Sequence, residues 1–505
     1  MPRSARLEIH QINVGQGDSI LIVNRDLDAV KAAIGASKGA AVANGLEPID
    51  YLPYAVANDI SLEGTIVHAL LIDAGDDEYG GDVLNYLETQ GALRTAPAPF
   101  CPDLYVLPTH FHADHAAGLR HIFKEAVPVT VTDEDGRLVR RIQLQERYRP
   151  ARIYRTTADD DVDPLEKVFY NGLVADFSEA MLAPANNSEL IQIDPGGFEE
   201  GDDKMLTIDL GAGVEDIPIT LYTLAAGQGV YDSEGTYTEI DSVDANTIDP
   251  NDRSVVLVLE YGSFRYFLGG DIGGNGLEPG GNEGDNAMDA DGKPHTSRHA
   301  DVETTLGPAI EGFFPATEEW EVGEPKYPSD GYCTVFKANH HASSSSCDVH
   351  FMSSIVPDLA IISSGVRSRF HHHPTQEVIN RMSDTETPDW GLSGTDKTTE
   401  NTIEQVYVTE VADRVKGKAF ATDLRGAKIL GDIVIRPVDE TILALQSAGE
   451  EDHVGGVELE VQIYGSGEQT SLADPTTTLR PTEAKNGGYA AYSLIGPFYH
   501  SINIE

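Results

Sequence analysis

The chain has 505 residues, 83 of them acidic against 35 basic, for a formal net charge of −48, with 40% hydrophobic and 23% charged residues. That composition belongs to a folded globular protein with a sizeable core and excludes intrinsic disorder as its overall character. The charge repels polyanions and anionic lipid surfaces, which disfavours a long nucleic acid at low salt; at the high ionic strength that a carboxylate-rich, halophile-like surface suits, screening would still let one approach. Cys101, Cys333 and Cys347 are too scattered for a disulfide framework, and no Cys-x-x-Cys pair suggests a structural zinc. No apolar signal core follows Met1, and no run of about 18 apolar residues exists to cross a bilayer, so a cytoplasmic protein without membrane association is expected.

In chain order, residues 7–23 read as two strands around the glycine turn Val14-Gly15-Gln16-Gly17-Asp18-Ser19. Residues 30–53 read as an insertion with helical stretches. Residues 65–72 form a buried strand that ends in Asp73-Ala74-Gly75, followed by a helix over 83–90 and a short strand over 104–107. Residues 123–249 carry strands, acidic loops and no ligand-type cluster, and are expected to form an inserted lobe beside the site. An apolar hairpin follows over 254–260 and 264–268. Residues 273–304, rich in Gly, Asp, Asn and Glu, are expected to form a surface loop within an insertion reaching to about 330, because they offer little to bury. Strands over 332–337 and 359–363, a helix over 376–382 and a late strand over 428–437 complete a main domain over 1–445, and a further strand is expected over 457–464. Residues 446–505 are expected to be a strand-containing C-terminal appendage. Alternating strands and helices argue for α/β layers.

The segment Thr109-His110-Phe111-His112-Ala113-Asp114-His115 lies directly after a strand. Alternate side chains of an extended segment share a face, so His110 and His112 can converge on one ion, while the following turn offers Asp114 and His115 to a second. Imidazole plus carboxylate suits Zn2+, as one or two ions, and also Mn2+. Asp271 closes the strand-ending segment Phe267-Leu268-Gly269-Gly270-Asp271, and one carboxylate can bridge two cations. In His340-His341-Ala342-Ser343, one histidine is expected to complete the second metal position, His341 by preference, with His340 facing substrate. His373, in His371-His372-His373-Pro374, could donate a proton or hold an anionic group. Asp73 is expected to orient a metal ligand rather than bind metal.

These segments, in this order, resemble the metallo-β-lactamase superfamily, and more closely the soluble hydrolase domain of ComEC-type competence proteins and their free-standing relatives. The resemblance rests on residues 13–22, Leu71-Ile72-Asp73-Ala74-Gly75, His110 to His115, Ser254-Val255-Val256-Leu257, Leu268-Gly269-Gly270-Asp271, His340-His341-Ala342-Ser343 and the His373-Pro374 turn. It implies a four-layer αβ/βα sandwich with insertions and metal-dependent hydrolysis at the strand ends. Two departures stand out. No histidine occurs between His121 and His295, so a ligand many members carry is missing, and the His110/His112 position would be completed by water or Asn251. The branch usually has Gly where Ala342 stands.

The expected function is a metallo-hydrolase acting on a small-molecule or short phosphodiester or phosphate ester, with Asp114 orienting the nucleophile and His340 or His373 protonating the leaving oxygen. The alternatives are a thioester, lactone or β-lactam hydrolase on the same core, or a non-catalytic binding protein on a hydrolase scaffold. The serine-rich segment Ser343 to Ser346 is expected at the rim of the site. Oligomeric state is not legible.

Overall fold

A computed structural model describes residues 3–93, 100–132, 138–156, 189–194, 196–199, 204–227, 229–240, 250–274, 301–317, 324–365, 373–383, 403–409, 428–429, 431–447, 456–465 and 493–502. Among these residues the protein is α/β, with two large mixed sheets of nine and ten strands, a separate two-stranded hairpin, and helices. The first sheet runs, edge to edge, Ser493–Ile502, Val457–Gly465, Asp432–Pro437, Leu7–Gln11, Ile20–Arg25, Ile66–Ile72, Phe100–Leu107, Arg149–Thr156 and Glu189–Ile193. The second runs Tyr237–Glu239, Gly229–Tyr231, Pro218–Ala226, Val256–Tyr261, Phe264–Leu268, Val335–Lys337, Leu359–Ile362, Gln405–Val408 and Lys428–Ile429, with Thr207–Ala212 beside Pro218–Ala226.

Successive side chains of a strand point to opposite faces, and the central strands here are apolar on both. Ile20, Ile22, Leu70 and Ile72 of the first sheet meet Leu257, Leu259, Tyr266 and Leu268 of the second in one shared core. The alternate residues Leu21, Val23, Ala69 and Leu71 pack with Val83, Leu84 and Leu87 of the helix Gly80–Gln90. On the second sheet, Val256, Val258 and Phe267 pack with Leu306 and Ile310 of the helix Val302–Phe313 and with Phe351 of the helix Val349–Ile355. Burial on both faces is why these strands read as continuous apolar runs rather than alternating ones.

Strand direction then decides where the loops gather. Ile66–Ile72 and Phe100–Leu107 are parallel, with Ile72 opposite Leu107, so residues 73–75 and 108–115 leave the sheet side by side. Phe264–Leu268, Val335–Lys337 and Leu359–Ile362 are also parallel and send residues 269–271, 338–342 and 363–365 out together. Loops at the carboxyl ends of parallel strands are where α/β sheets build sites. The Val255 amide donates to Thr109 O at 2.9 Å and joins the two sets of loops across the sheets.

The chain organisation differs from expectation in two places. Val457–Gly465 and Ser493–Ile502 are not an appendage; they extend the first sheet past Asp432–Pro437, whose outer hydrogen-bonding edge would otherwise be open. The described residues of 123–249 do not stand apart as an inserted lobe either, since they supply Arg149–Thr156 and Glu189–Ile193 to the first sheet and Thr207–Ala212 through Tyr237–Glu239 to the second. Among the described residues, only the hairpin Lys124–Thr132 with Leu138–Glu146 forms a sheet of its own. The run expected as late strand at 428–437 divides between the sheets, with Lys428–Ile429 in the second, Asp432–Pro437 in the first and Gly431 at φ 64° between them. The helical reading of residues 30–53 matches Leu27–Lys38, Ala40–Ala43 and Tyr51–Ala57, which bury Leu27, Val30, Ile34 and Leu52 in a small core. Of the acidic stretch, residues 275–300 lie outside the described residues, while Val302–Phe313 is a helix with a buried face. No helix among the described residues is long and apolar enough to cross a membrane.

One buried ion pair anchors the first sheet away from the site. Arg25 Nε donates to both Glu8 oxygens at 3.0 Å and its Nη2 to Oε2 at 2.9 Å, while Nη1 donates to Thr65 Oγ1 at 2.9 Å and Gln90 O at 3.1 Å. Burial opposes the Glu8 charge, but Arg25 and His10 outweigh it and lower its pKa to about 2. A depressed carboxylate pKa contributes stability that is present above the ordinary value of 4.5 and lost as pH falls toward 2. Arg25→Met strands the Glu8 charge and is expected to cost about 3 kcal/mol at pH 7 by urea unfolding, with the loss shrinking toward pH 3 as Glu8 takes up a proton.

Candidate metal centre

The site is built where the two sets of loops meet. His110 and His115 come from the segment after Phe100–Leu107, Asp271 from the turn after Phe264–Leu268, and His341 from the turn after Val335–Lys337. His115 Nε2 lies 3.1 Å and His341 Nε2 3.2 Å from Asp271 Oδ2, and His341 Nε2 lies 3.9 Å from Asp114 Oδ2. Ligand-type atoms converge in the groups His110–His115–Asp271, Asp114–His115–His341 and Asp18–Asp271–His341, with a further group of Asp18, Asp73 and His115. Close approach of the loops depends on Gly17 (φ 134°), where a Cβ would sit 2.1 Å from Asp114 O.

The outward ring nitrogens are all tied down. Asp73 accepts from Thr109 N at 2.7 Å, from Thr109 Oγ1 at 2.7 Å and from His115 Nδ1 at 2.9 Å. It thus orients His115 and the start of the histidine segment. His341 Nδ1 donates to Ser363 O at 2.9 Å. His110 Nδ1 lies 3.1 Å from Thr109 Oγ1 and 3.2 Å from Ser254 Oγ. Both of those hydroxyl protons are committed elsewhere, to Asp73 and to Asn251 O, so His110 Nδ1 must be the donor. In their neutral forms, all three imidazoles therefore turn an Nε2 lone pair toward Asp271.

Lone pairs facing a carboxylate repel unless positive charge lies among them. His110 Nε2, His115 Nε2, His341 Nε2 and Asp271 Oδ1 are buried without a hydrogen-bond partner, each an omission worth about 1–3 kcal/mol when nothing compensates. Burial opposes charge on His115, but Asp271 and Asp73 outweigh it and hold its pKa well above the ordinary imidazole value. Burial of His341 is likewise outweighed, by Asp271 and Asp18. His110 is held well below the ordinary value by burial and then by the charge of His115 and His112. The Asp271 carboxyl, in spite of burial, is held well below its usual range by His115, His341 and His340. The cluster demands cationic charge, and protons on imidazole supply it only where no divalent cation does. Imidazole nitrogens with their far sides anchored, beside a carboxylate, are a donor set that fits zinc or manganese.

The remaining expected residues fall around this cluster. Asp114, with 29% side-chain exposure, is the most open member. The His112 ring lies 4.8 Å from that of His110, but His112 joins none of the converging groups found among the described residues. His340 Nε2 lies 3.8 Å from Asp271 Oδ2 and 3.4 Å from Asn251 Nδ2, and its ring is 5.4 Å from that of His373. Of the histidine pair, His341 converges with Asp114 and His115, while His340 and His373 face one another beside them. His371 and His372 lie outside the described residues. The serine rim is narrower than expected, because Ser346 Oγ already donates to Asn339 O and Ser343 O.

Asp18 and Lys337 had no expected role, yet they underlie the centre. The fully buried Lys337 ammonium pairs with Asp18 Oδ2, donates to Gly270 O at 3.1 Å and lies 4.0 Å from Asp271 Oδ1. Asp18 Oδ1 in turn lies 3.6 Å from His341 Nδ1. Burial opposes the ammonium, but Asp18 and Asp271 overcome it and raise its pKa. The available signal was a single charge closing each apolar strand or glycine turn, which reads equally well as solvent-facing. Ser254 was equally hidden, as a small polar residue before a strand; its Oγ also accepts from Asp271 N at 3.1 Å.

The turn at Asn339–Ala342 is strained. His340, His341 and Ala342 have φ of 45°, 53° and 62°, a region that costs an L-residue about 1–2 kcal/mol. Ala342, at the position where the resembling branch usually has Gly, occupies backbone that glycine adopts freely.

No family model matches the chain, and no curated protein matches it. Lys337→Met leaves Asp18 buried without its cation and is expected to destabilise the metal-free protein by about 3 kcal/mol, read by urea unfolding in the presence of a chelator.

Proposed function

We propose that the protein is a metal-dependent hydrolase with a metallo-β-lactamase-type αβ/βα sandwich, acting on a small or short phosphodiester or phosphate ester. The observation that carries this reading is the set of buried Nε2 atoms on His110, His115 and His341, turned with anchored tautomers toward Asp271 and without a hydrogen-bond partner. Such a set is costly to bury unless a cation satisfies it. The motif resemblance and the helix-covered pair of sheets support the fold assignment. His110, His115, Asp114, Asp271 and His341 would hold one or two divalent ions, zinc first and manganese second, with His112 beside them. A cation held there supplies Lewis-acid polarisation and a water acidified toward neutral pH.

The chain's own residues divide the remaining work. Asp114, the most open of the group, would orient the attacking water by accepting a hydrogen bond from it. His340 and His373, facing one another, are placed to give a proton to the leaving oxygen. Asp73 and Ser363 hold His115 and His341 so that no reorientation accompanies the reaction. The phosphate-ester preference comes from the resemblance and from the histidines and the Ser343–Ser345 hydroxyl pair near the turn; the acidic surface favours a small substrate over a long polyanion. Thioester, lactone and lactam hydrolysis use the same core and are the second reading.

Metal analysis and hydrolysis of bis-(p-nitrophenyl) phosphate test this. The wild type is expected to carry one or two transition-metal ions per chain and to cleave the diester, and Asp271→Ala to lose at least 100-fold in rate together with metal. Metal without diester cleavage moves the substrate to a thioester, lactone or lactam. Neither metal nor cleavage after reconstitution with zinc and manganese leaves a binding scaffold in place of an enzyme.

A further inference from the structure

Glu303 is fully buried, lies 32 residues beyond Asp271 in the chain and is absent from the metal-type groups, yet it touches both arms that the second sheet sends into the centre. Its amide donates to Gly273 O at 3.1 Å, two residues past Asp271. Its Oε1 accepts from Asn339 Nδ2 at 2.8 Å, immediately before the histidine pair, and from Cys347 N at 2.7 Å; its Oε2 accepts from Asp348 N at 2.7 Å. One carboxyl group therefore spans both ends of residues 339–348, the segment that contains three consecutive non-glycine residues at positive φ. Further bonds act in the same sense. Ser346 Oγ closes the segment onto Asn339 O, Gly274 N donates to Ser345 O at 2.8 Å, and His340 N donates to Gly270 O at 3.1 Å.

We propose that Glu303 is a positioning residue of the metal centre: it holds the strained histidine turn against the Asp271 arm and so sets the spacing of His341 from Asp271. The inference rests on the metal reading above but concerns a residue that would not touch metal or substrate. Strained left-handed backbone persists only where surrounding structure over-determines it, and Glu303, from a different element, makes three side-chain bonds to this segment. Without it the turn relaxes, His341 moves away from Asp271, and a cation retains mainly the ligands of the first sheet, His110, Asp114 and His115.

Cobalt titration of the full chain, followed by visible absorption, tests this without recourse to activity. Glu303→Ala is expected to weaken Co2+ binding 10–100-fold and to alter the d–d bands, the range usual for loss of a residue that orients metal ligands. Adding Ala342→Gly to that variant relieves part of the strain and is expected to recover about five-fold in affinity. A merely structural role would lower the melting temperature of the metal-free protein while leaving the bands of the folded fraction unchanged, and that result overturns the proposal. So does unchanged affinity, or no recovery on adding Ala342→Gly. Should Glu303→Ala fail to fold, Glu303→Asp, whose carboxylate falls one methylene short of the backbone donors, must show the same loss and band change. If the wild type itself binds no Co2+, the metal reading fails first, and the Glu303 proposal falls with it; wild-type binding with unperturbed variants sinks the Glu303 proposal alone.

Discussion

Three buried carboxylates, Asp18, Asp73 and Asp271, meet at the joint between the two sheets, and the local structure is arranged around keeping each of them supplied with positive charge or donors. A carboxylate out of water is costly unless paired and hydrogen-bonded. Asp73 takes three donors from the histidine segment, Asp18 takes the Lys337 ammonium, and Asp271 faces imidazoles. Lys337 comes from the second sheet and Asp18 from a loop of the first, so their pairing also fixes the sheets to each other at this end.

That constraint explains the polarity of the architecture. The shared core between the sheets is apolar, with Ile22, Leu70, Leu257 and Tyr266 among its members, and needs no particular orientation of loops. The polar end does. Parallel pairing sends the loops of both sheets to the same end, and cross-connections such as Val255 N to Thr109 O and Ser363 Oγ to Gly17 O, the latter 2.6 Å, hold them in register. Strain also gathers there: the histidine turn carries positive φ at three adjacent residues, with Asp73 at φ 56° across the cluster. Backbone strain concentrated beside converging ligand atoms is what a site fixed in advance of binding requires.

The anchoring of the rings decides more than their direction. Because the protons on Thr109 and Ser254 hydroxyls are already given to Asp73 and Asn251 O, the tautomer of His110 follows from its neighbours; Ser363 O and Asp73 do the same for His341 and His115. Nε2 is then available on all three. A histidine-rich loop on a surface would have no such selection, since water serves either nitrogen equally.

The chemistry-bearing residues were legible in the sequence because they come in short, dense segments. Three histidines and an aspartate within residues 110–115, a Gly-Gly-Asp closing an apolar strand, and a histidine pair after another strand mark candidate donors at strand ends, of which His112 joins none of the converging groups among the described residues. Apolar runs marked the central strands, and Asp73 could be assigned an orienting role from its place after one of them. The sequence alone could not separate His340 from His341, because the choice depends on backbone at positive φ that no residue type there announces. Nor could it reveal Asp18, Lys337 or Glu303, whose partners lie up to 319 residues away and whose charges read as solvent-facing until the sheets close over them. The C-terminal strands and residues 123–249 read as additions because the strands they contribute pair with partners far away in the chain, which local pattern does not announce. Local pattern therefore determined which residues could offer ligands and which central segments are strands; only the tertiary structure decided which carboxylates are buried and by what they are neutralised, because burial and pairing are properties of sheets brought together from distant parts of the chain.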